Sequence, residues 1–398
     1  MTHAARDVAI VAFAQSDHRR RTDGLSEVET LMPVLHEALG QAGLAARDID
    51  FTCSGSSDYL AGRAFSFTMA LDGVGAWPPI AESHVETDGA WALYEAWVKI
   101  LTGAADTALV YAFGTSSAGD IRDVLTRQLD PYYLAPLWPD PVALAALQAR
   151  ALIDAGDTDE RALAGIAARS RAAAAPGAAV PQRQGERRPC GTGPRAGRPR
   201  GDDGRAAPTA WTAEAVAARS AEAKGTARGP RAAADDYVVA PLRARDCPPI
   251  GDGAAAVVLA AGDTARRIHD RPAWIRGIDH RVEAHALGVR DLTDSPSTRL
   301  AATRAGAFDA PVDTAELHAP FTSQEVVLRK ALRLGDDVTV NPSGGALAAN
   351  PVMATGLIRL GEAAARIHRG ASDRALAHAT AGPCLQQNLV AVLEGETR

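Results

Sequence analysis

The sequence predicts an α/β protein, and three observations support this fold class. Short continuous apolar runs, such as residues 8–14, have the character of strands that are buried on both faces. Longer stretches between these runs repeat apolar residues at helical spacing and are followed by glycine. Strands and helices alternate along the chain, and we therefore expect crossover connections and mainly parallel sheets.

The predicted elements come in two similar cycles. The first has a strand at residues 8–14, a helix at 26–42, a helix beginning near Gly89 and a strand at 108–113. The apolar positions that mark the two helices are Leu31, Val34, Leu35, Leu39, Ala90, Leu93, Trp97 and Leu101.

The second cycle begins with a strand at residues 273–278. Helices are predicted near residues 298–305, 324–334 and 353–367. Two similar halves, residues 1–264 and 265–398, are the interpretation that this pattern favours.

Composition excludes several functional classes. The chain has 398 residues, 46% of them apolar, and a net charge of −6, which gives no electrostatic basis for binding nucleic acid or an anionic membrane. No apolar run reaches the length of a membrane span, and no signal peptide is recognised. The four cysteines (Cys53, Cys190, Cys247 and Cys384) have no CxxC spacing, so we expect a reducing cytoplasm and no metal site.

Five sequence motifs resemble the thiolase superfamily, in its lipid-transfer protein and sterol carrier protein x branch. They are DVAIVAFAQ (7–15), SHVETDGAWALYEAW (83–97), GDGAAAVVLAAG (251–262), LHAPF with NPSGGALAANP (317–321, 341–351) and LQQNLVAVLEG (385–395). The resemblance covers most of the chain and occurs in the family's order. It implies two thiolase halves stacked as five α-β-α-β-α layers, with a loop domain (about residues 117–246) inserted in the first half. Residues 131–155 resemble the part that covers the acyl-CoA tunnel.

The resemblance also shows what this chain lacks. The family's nucleophilic cysteine precedes a helix as Cys-x-x-Gly, and counting back from Gly89 places Glu86 at that position. A carboxylate cannot replace the cysteine in acyl transfer, because an acyl anhydride would hydrolyse readily. Glu86 is either a site residue or a structural one. Asp88 is a candidate catalytic residue too, although an N-cap role is the simpler interpretation.

The resemblance assigns the remaining candidate site residues to the second half. His318 corresponds to the family's catalytic histidine, as a base or a donor to the thioester oxygen, and Asn350 stands where the family has a second histidine. Ser343, Gly344 and Gly345 form a turn that is expected to approach substrate closely, and Gly382 is assigned to substrate binding with them. We predict that Glu86, His318 and Asn350 face one pocket beside Gly344. Cys384 is expected to be inert, and His84, His280 and His285 are further ionisable candidates without independent support.

This set of residues is similar to that of thiolase-like aldolases of steroid side-chain catabolism. The implied reaction is retro-aldol cleavage of a β-hydroxyacyl-CoA to a ketone and a shorter acyl-CoA, with a coenzyme A thioester as substrate and no further cofactor. A non-catalytic acyl-CoA or lipid carrier and an acyltransferase are the alternatives. The resemblance implies a small OB-fold, zinc-ribbon partner subunit and a homodimer formed through the strand at residues 108–113.

Residues 176–233 differ from the rest of the chain. They are dense in Gly, Pro and Arg and have almost no strand or helix periodicity, so they cannot bury enough apolar surface to offset the entropy of ordering. A flexible basic tether is one interpretation. A local frameshift in a GC-rich gene is the one we favour, because the family resemblance ends near Pro176 and returns near Tyr237.

Overall fold

The computed structural model describes residues 6–18, 21, 24–62, 64–174 and 236–396. The segment 176–233, predicted to be a tether or a frameshift product, lies outside the described residues.

Twelve strands and twelve α-helices occur in the described part of the chain. The strands are β1 (Val8–Gln15), β2 (Phe51–Gly55), β3 (Glu82–Val85), β4 (Thr107–Thr115), β5 (Tyr237–Val239), β6 (Leu242–Arg243), β7 (Asp252–Ala261), β8 (Ala273–Val282), β9 (Thr314–Leu317), β10 (Thr339–Val340), β11 (Arg374–Ala381) and β12 (Gln387–Glu394). The helices are α1 (Glu27–Ala42), α2 (Asp58–Ala61), α3 (Thr68–Val74), α4 (Gly89–Leu101), α5 (Ile121–Arg127), α6 (Pro141–Asp154), α7 (Glu160–Ala173), α8 (Gly262–Ile268), α9 (Pro296–Arg304), α10 (Thr322–Ala331), α11 (Gly345–Ala348) and α12 (Thr355–His368).

Ten of these strands form one sheet with an internal repeat. Its order is β10-β9-β11-β12-β8-β1-β7-β4-β2-β3, so five strands of the second half adjoin five strands of the first. Counted within each half, both sets follow the order 3-2-4-5-1 from their outer edge. The halves meet where β1 pairs with β8 through only two residue pairs. The boundary predicted near Thr264 falls in α8, between the last strand of the first half and β8.

Strand direction agrees with the predicted mainly parallel sheets. In the first half β2 is parallel to β3 and β4, whereas β7 is antiparallel to both of its neighbours, β4 and β1. The second half repeats this arrangement, with β12 as the reversed strand. Four strands of each half therefore run in one direction, and their carboxyl ends lie at the same edge.

Three apolar clusters show how the helices cover the sheet. Helices α4 and α12 share one cluster with strands of both halves, so they form the middle layer. Helices α1 and α3 cover the outer face of the first half, and α9 and α10 cover that of the second. Alternate residues of β1 serve different clusters, Val8 and Ile10 the middle one and Ala9 and Val11 the outer one. These are the predicted five layers.

Glycines let the middle layer approach the strands closely. A Cβ added to Gly89, the first residue of α4, would lie 2.5 Å from the Cβ of Ala112 on β4. A Cβ on Gly361 of α12 would enter the ring of Phe13. No side chain is tolerated at either position without movement of the helix, because real Cβ atoms do not approach so closely.

One prediction about assembly is wrong in its detail. Strand β4, the predicted dimer strand, pairs with β7 on one side and β2 on the other. Both of its hydrogen-bonding edges are therefore used, and it cannot extend the sheet into a partner. The outer strand of this half is β3, whereas the homodimer itself stays a prediction. None of the helices described has the length and apolar character needed to traverse a bilayer.

Candidate functional site

A cavity of about 1530 Å³ lies between the two halves and the loop region formed by α5, α6 and residues 236–250. Five predicted site residues line it: Glu86, Asp88, His318, Asn350 and Gly382. Cys384, which was expected to be inert, lines it as well. The structure thus brings together the residues expected in one pocket, although Gly344 is not among those that line it.

Strand ends explain this convergence. Glu86 follows β3, His318 follows β9 and Gly382 follows β11, each at a carboxyl end where parallel strands leave a crevice. Asn350 precedes α12, as Glu86 precedes α4, and these are the two middle-layer helices. Each half therefore contributes polar groups from the loop before its buried helix.

His318 and Asn350 form a buried pair at the cavity wall. The backbone N–H of Thr380 donates to Nδ1 of His318 at 3.4 Å, so the ring proton of the neutral imidazole belongs on Nε2. The hydroxyl of Thr355 has two acceptors, Oδ1 of Asn350 at 2.9 Å and the Pro351 carbonyl at 3.0 Å, and with the Asn350 amide in this orientation Nδ2 is a donor. The arrangement supplies two N–H donors rather than a base.

The protonation state of His318 fits the role of a donor. The pKa of His318 is lowered to about 3, chiefly by burial and also by the nearby His378 and Arg359, whereas a hydrogen bond with Asn350 opposes the shift. The ring is therefore neutral at pH 7. A neutral imidazole held through Nδ1 donates from Nε2 and is a poor proton acceptor there. The interpretation of His318 as a general base is thus less favourable than that of a donor.

Asp88 connects the middle helices instead of facing substrate. Its carboxylate caps α4 by accepting the Ala90 N–H at 2.9 Å, as the N-cap interpretation predicts. It also accepts the N–H groups of Gly356 at 2.8 Å and Leu357 at 3.1 Å, in the first turn of α12. Burial raises its pKa to about 6, although the three N–H donors favour the ionised form. This carboxylate positions two helices and is not free to act as a base.

Glu86 is a partly exposed carboxylate at the cavity wall. Its side chain is 49% exposed, and Oε1 accepts the backbone N–H of Asp58 at 2.6 Å. Oε2 lies 3.5 Å from Nε2 of His84. Among the carboxylates predicted for the site, Glu86 alone combines access to the cavity with free acceptor capacity.

The turn of Ser343, Gly344 and Gly345 is not part of the cavity wall. The Ser343 hydroxyl donates to Glu316 at 2.7 Å, and Arg359 donates to the same hydroxyl at 2.5 Å. The Gly344 carbonyl accepts a hydrogen bond from Ser170 of α7.

Both glycines have positive φ angles, +95° and +63°, which is why the turn contains them. These contacts support the turn from behind the site, and the structure does not bring it to substrate as expected.

The other candidates separate into two groups. His285 lines the cavity, whereas the exposed ring of His280 packs edge-on against Trp91 and Tyr94. Burial raises the pKa of the Cys384 thiol to about 11 and that of Cys247 to about 12, so neither is a thiolate at pH 7. In the described part of the chain, no group of three or more His, Cys, Asp or Glu side chains is arranged to hold a metal ion.

Sequence reasoning missed two residues that act on the site and named a third, His84, only as an ionisable candidate without independent support. Thr380 and Thr355 orient His318 and Asn350, and no sequence signal marks either threonine, because their partners are distant or depend on a turn. His84 did have a signal. It lies two residues before Glu86 at the end of a strand, and alternate strand residues share a face.

Solved structures with this architecture include three enzymes. The Ltp2-ChsH2(DUF35) aldolase matches over 100% of both chains with a TM-score of 0.71 and 16% identity. The chain has the thiolase fold. The acetyl-CoA acetyltransferase of Bacillus anthracis has a TM-score of 0.69 at 16% identity, covering 99% of this chain and 100% of that one. Human mitochondrial 3-ketoacyl-CoA thiolase has a TM-score of 0.67 at 14% identity, with the same coverage.

Sequence similarity supports the thiolase fold over a shorter stretch. The acetyl-CoA acetyltransferase of Methanothermobacter thermautotrophicus is 31% identical over 173 residues, which is 36% of this chain and 44% of that enzyme. The match thus spans less than half of the curated relative's length. No protein family model matches the chain.

Proposed function

We propose that this protein is a carbon–carbon lyase that cleaves a β-hydroxyacyl-CoA by a retro-aldol reaction. The observation that supports this proposal most is the composition of the cavity. Glu86, His318 and Asn350 all line it, and Glu86 stands where the family has its cysteine nucleophile. Retro-aldol cleavage needs a base and an enolate-stabilising pocket, and it needs no covalent intermediate.

The reaction assigns one task to each group. Glu86 accepts the proton of the β-hydroxyl, the Cα–Cβ bond breaks and the β-carbon becomes a ketone. The electron pair of that bond forms the thioester enolate, whose oxygen accepts hydrogen bonds from Nε2–H of His318 and Nδ2–H of Asn350. The proton on Glu86 then returns to Cα and gives the shorter acyl-CoA, so atoms and charge balance.

Acyl transfer has less support. It requires a nucleophile whose acyl form is a stable thioester or ester. Two cysteines line the cavity, Cys247 and Cys384, but burial raises the pKa of both thiols well above neutrality. Glu86 stands at the family's nucleophile position, and a carboxylate there cannot store the acyl group.

The finer details belong to the proposal too. A cavity of about 1530 Å³ has room for a bulky acyl group, in keeping with a steroid side-chain substrate. The Ltp2 aldolase structure is a complex with a DUF35 protein, and we propose a small partner of this kind here. A homodimer and a cytoplasmic location complete the proposal.

Product analysis tests the proposed reaction. The protein, alone and with a DUF35 partner, is incubated with β-hydroxyacyl-CoA substrates of increasing bulk, and ketone and shorter acyl-CoA are quantified by mass spectrometry. Equimolar release of both products is expected. Absence of turnover with every substrate and with the partner present would remove the lyase.

An acyl-CoA or lipid carrier is the second candidate, and the large cavity supports it, since a carrier needs a binding space but no proton acceptor. Isothermal titration with a non-cleavable β-ketoacyl-CoA analogue distinguishes the two. A carrier binds the analogue with an affinity that is insensitive to Glu86→Gln, and it does not turn over a β-hydroxyacyl-CoA. A lyase turns over the β-hydroxyacyl-CoA, and Glu86→Gln abolishes this turnover.

A further inference from the structure

His84 contacts the Glu86 carboxylate, and the proposed reaction so far gives it no task. It lies on β3 with a side chain 15% exposed, and Nε2 is 3.5 Å from Oε2 of Glu86. This distance is an ion-pair contact and is longer than a hydrogen bond, as is common in unliganded active sites.

The imidazole is held firmly from two other sides. Its Nδ1 lies 3.1 Å from the hydroxyl of Ser54 on β2. Its ring stacks on Phe67, with centroids 4.5 Å apart and planes inclined by 15°. A ring fixed at one nitrogen and on one face has a single orientation, and this orientation directs Nε2 at Glu86.

Other charged groups near His84 are already engaged or lie farther away. Asp58 on α2 accepts the N–H groups of Phe65 at 2.8 Å and Ser66 at 2.9 Å, and these bonds lower its pKa. Partial burial raises the pKa of Glu82 on β3.

Burial also raises the pKa of Tyr111 on β4, behind Ser54. Within the described residues, Glu86 is the carboxylate at ion-pair distance from His84.

We propose that His84 is a positioning residue for Glu86, an inference that rests on the proposed lyase function. The Asp58 N–H holds one carboxylate oxygen and His84 holds the other. The carboxylate is thereby fixed at the cavity wall, where the β-hydroxyl proton must be accepted.

A ring titration tests the contact between His84 and Glu86 without any assay of activity. The histidine ring signals of the whole protein are followed by NMR from pH 5 to 8.5, and His84 is assigned through its loss in His84→Gln. In Glu86→Gln the midpoint of His84 is expected to fall by about 0.5–1 pH unit, because an opposite charge has been removed. The exposed His36 of α1 is the internal control. An unchanged His84 midpoint would overturn the proposal, whether or not the protein is a lyase.

Kinetics of two variants test the positioning role. His84→Leu removes the ring nitrogens, whereas His84→Gln keeps a side-chain N–H of similar reach. With a substrate that the wild type cleaves, we expect kcat to fall about 10-fold or more in His84→Leu, with KM little changed, and to recover to within about 3-fold in His84→Gln. The acid limb of the kcat profile is expected to move to higher pH in His84→Leu.

The two arms separate the possible failures. Equal losses in both variants with an unchanged pH profile would show that His84 is only structural, and would overturn the proposal. If the wild-type protein cleaves no substrate, the lyase function is ruled out. The ring titration then tests only the contact between His84 and Glu86. Thermal unfolding of each variant shows whether the fold is retained, and Glu86→Gln changes a side chain that is 49% exposed.

Discussion

At the scale of single residues, the chemistry of the site depends on which nitrogen atoms of His318 and Asn350 carry the protons that face the cavity. The backbone N–H of Thr380 holds Nδ1 of His318, and the hydroxyl of Thr355 holds Oδ1 of Asn350. Both side chains consequently present N–H groups. Two donors and a separate carboxylate are what an enolate intermediate requires, whereas a Claisen reaction would require a cysteine in addition.

His318→Ala tests the donor assignment. We expect turnover to fall about 100-fold or more, which is the usual effect of losing one oxyanion donor. His318→Gln, which restores an N–H, is expected to recover part of the loss. Steady-state kinetics on a cleaved substrate give both values, with His36→Ala as a surface control. A near-normal rate in His318→Ala would contradict the assignment.

The thiols provide a second test at this scale. Burial raises the pKa of Cys53 to about 12, that of Cys247 to about 12 and that of Cys384 to about 11. In the folded protein at pH 7.5 we expect iodoacetamide to alkylate each of these cysteines at least about 100-fold more slowly than in urea, since the thiolate is the reacting form. Peptide mass spectrometry measures the rates. Rapid alkylation of Cys384 would reopen the acyltransferase alternative.

At the scale of elements, the sequence predicted long and strongly periodic segments well. The strands β1, β4 and β8 and the helices α1 and α4 lie within a few residues of their predicted positions. Short elements were missed for a physical reason. Strand β3 (ESHV) is half-buried throughout and β10 has two residues, so neither shows an apolar pattern.

The same limit applies to the site. The sequence placed Glu86, His318 and Asn350 at one pocket because each is next to a recognisable element. It placed Ser343, Gly344 and Gly345 there as well, since a glycine turn predicts a tight bend but not the side from which the bend is approached. Only the fold shows that Ser170 and Arg359 occupy that side.

Asp88 allows a test of how two elements are joined. Asp88→Ala removes the cap of α4 and two hydrogen bonds to α12, and we expect the free energy of unfolding to fall by about 3 kcal/mol. Asp159→Ala removes a cap from α7 alone, where Asp159 accepts only the Ala162 N–H, and should cost about 1 kcal/mol. Urea unfolding measures both. Equal losses would mean that the bonds to α12 contribute nothing.

At the scale of the whole molecule, buried histidines determine how stability depends on pH. Burial lowers the pKa of His318 to about 3 and brings those of three others to about 4, namely His18, His368 and His378. A histidine whose pKa is lowered in the folded state stabilises the fold above pH 6.5 and loses that contribution as pH falls towards 4. Asp88 and Glu316, whose pKa values burial raises, have the opposite sign.

Because the histidines outnumber these carboxyls, we expect stability to fall between pH 7.5 and 5.0. Each pH unit below 6.5 costs about 1.4 kcal/mol for one such histidine, so the net loss should be about 3 kcal/mol or more. Urea midpoints at the two pH values measure it, and His368→Gln should reduce the slope by about one histidine's share. A stability that is flat or rises towards pH 5 would contradict the expectation.

The position of α12 in the middle layer has a consequence for how the protein is made. The ribosome releases β1 and α4 hundreds of residues before α12, which shares their apolar cluster. Until that helix emerges, the inner face of the first sheet is covered by α4 but not by α12, and Phe13 lacks its contact with Gly361. A chain cut short before residue 355 would thus expose apolar surface and be prone to aggregation, although Glu86, His318 and Asn350 are already present. Quality control of this protein accordingly depends on the synthesis of α12.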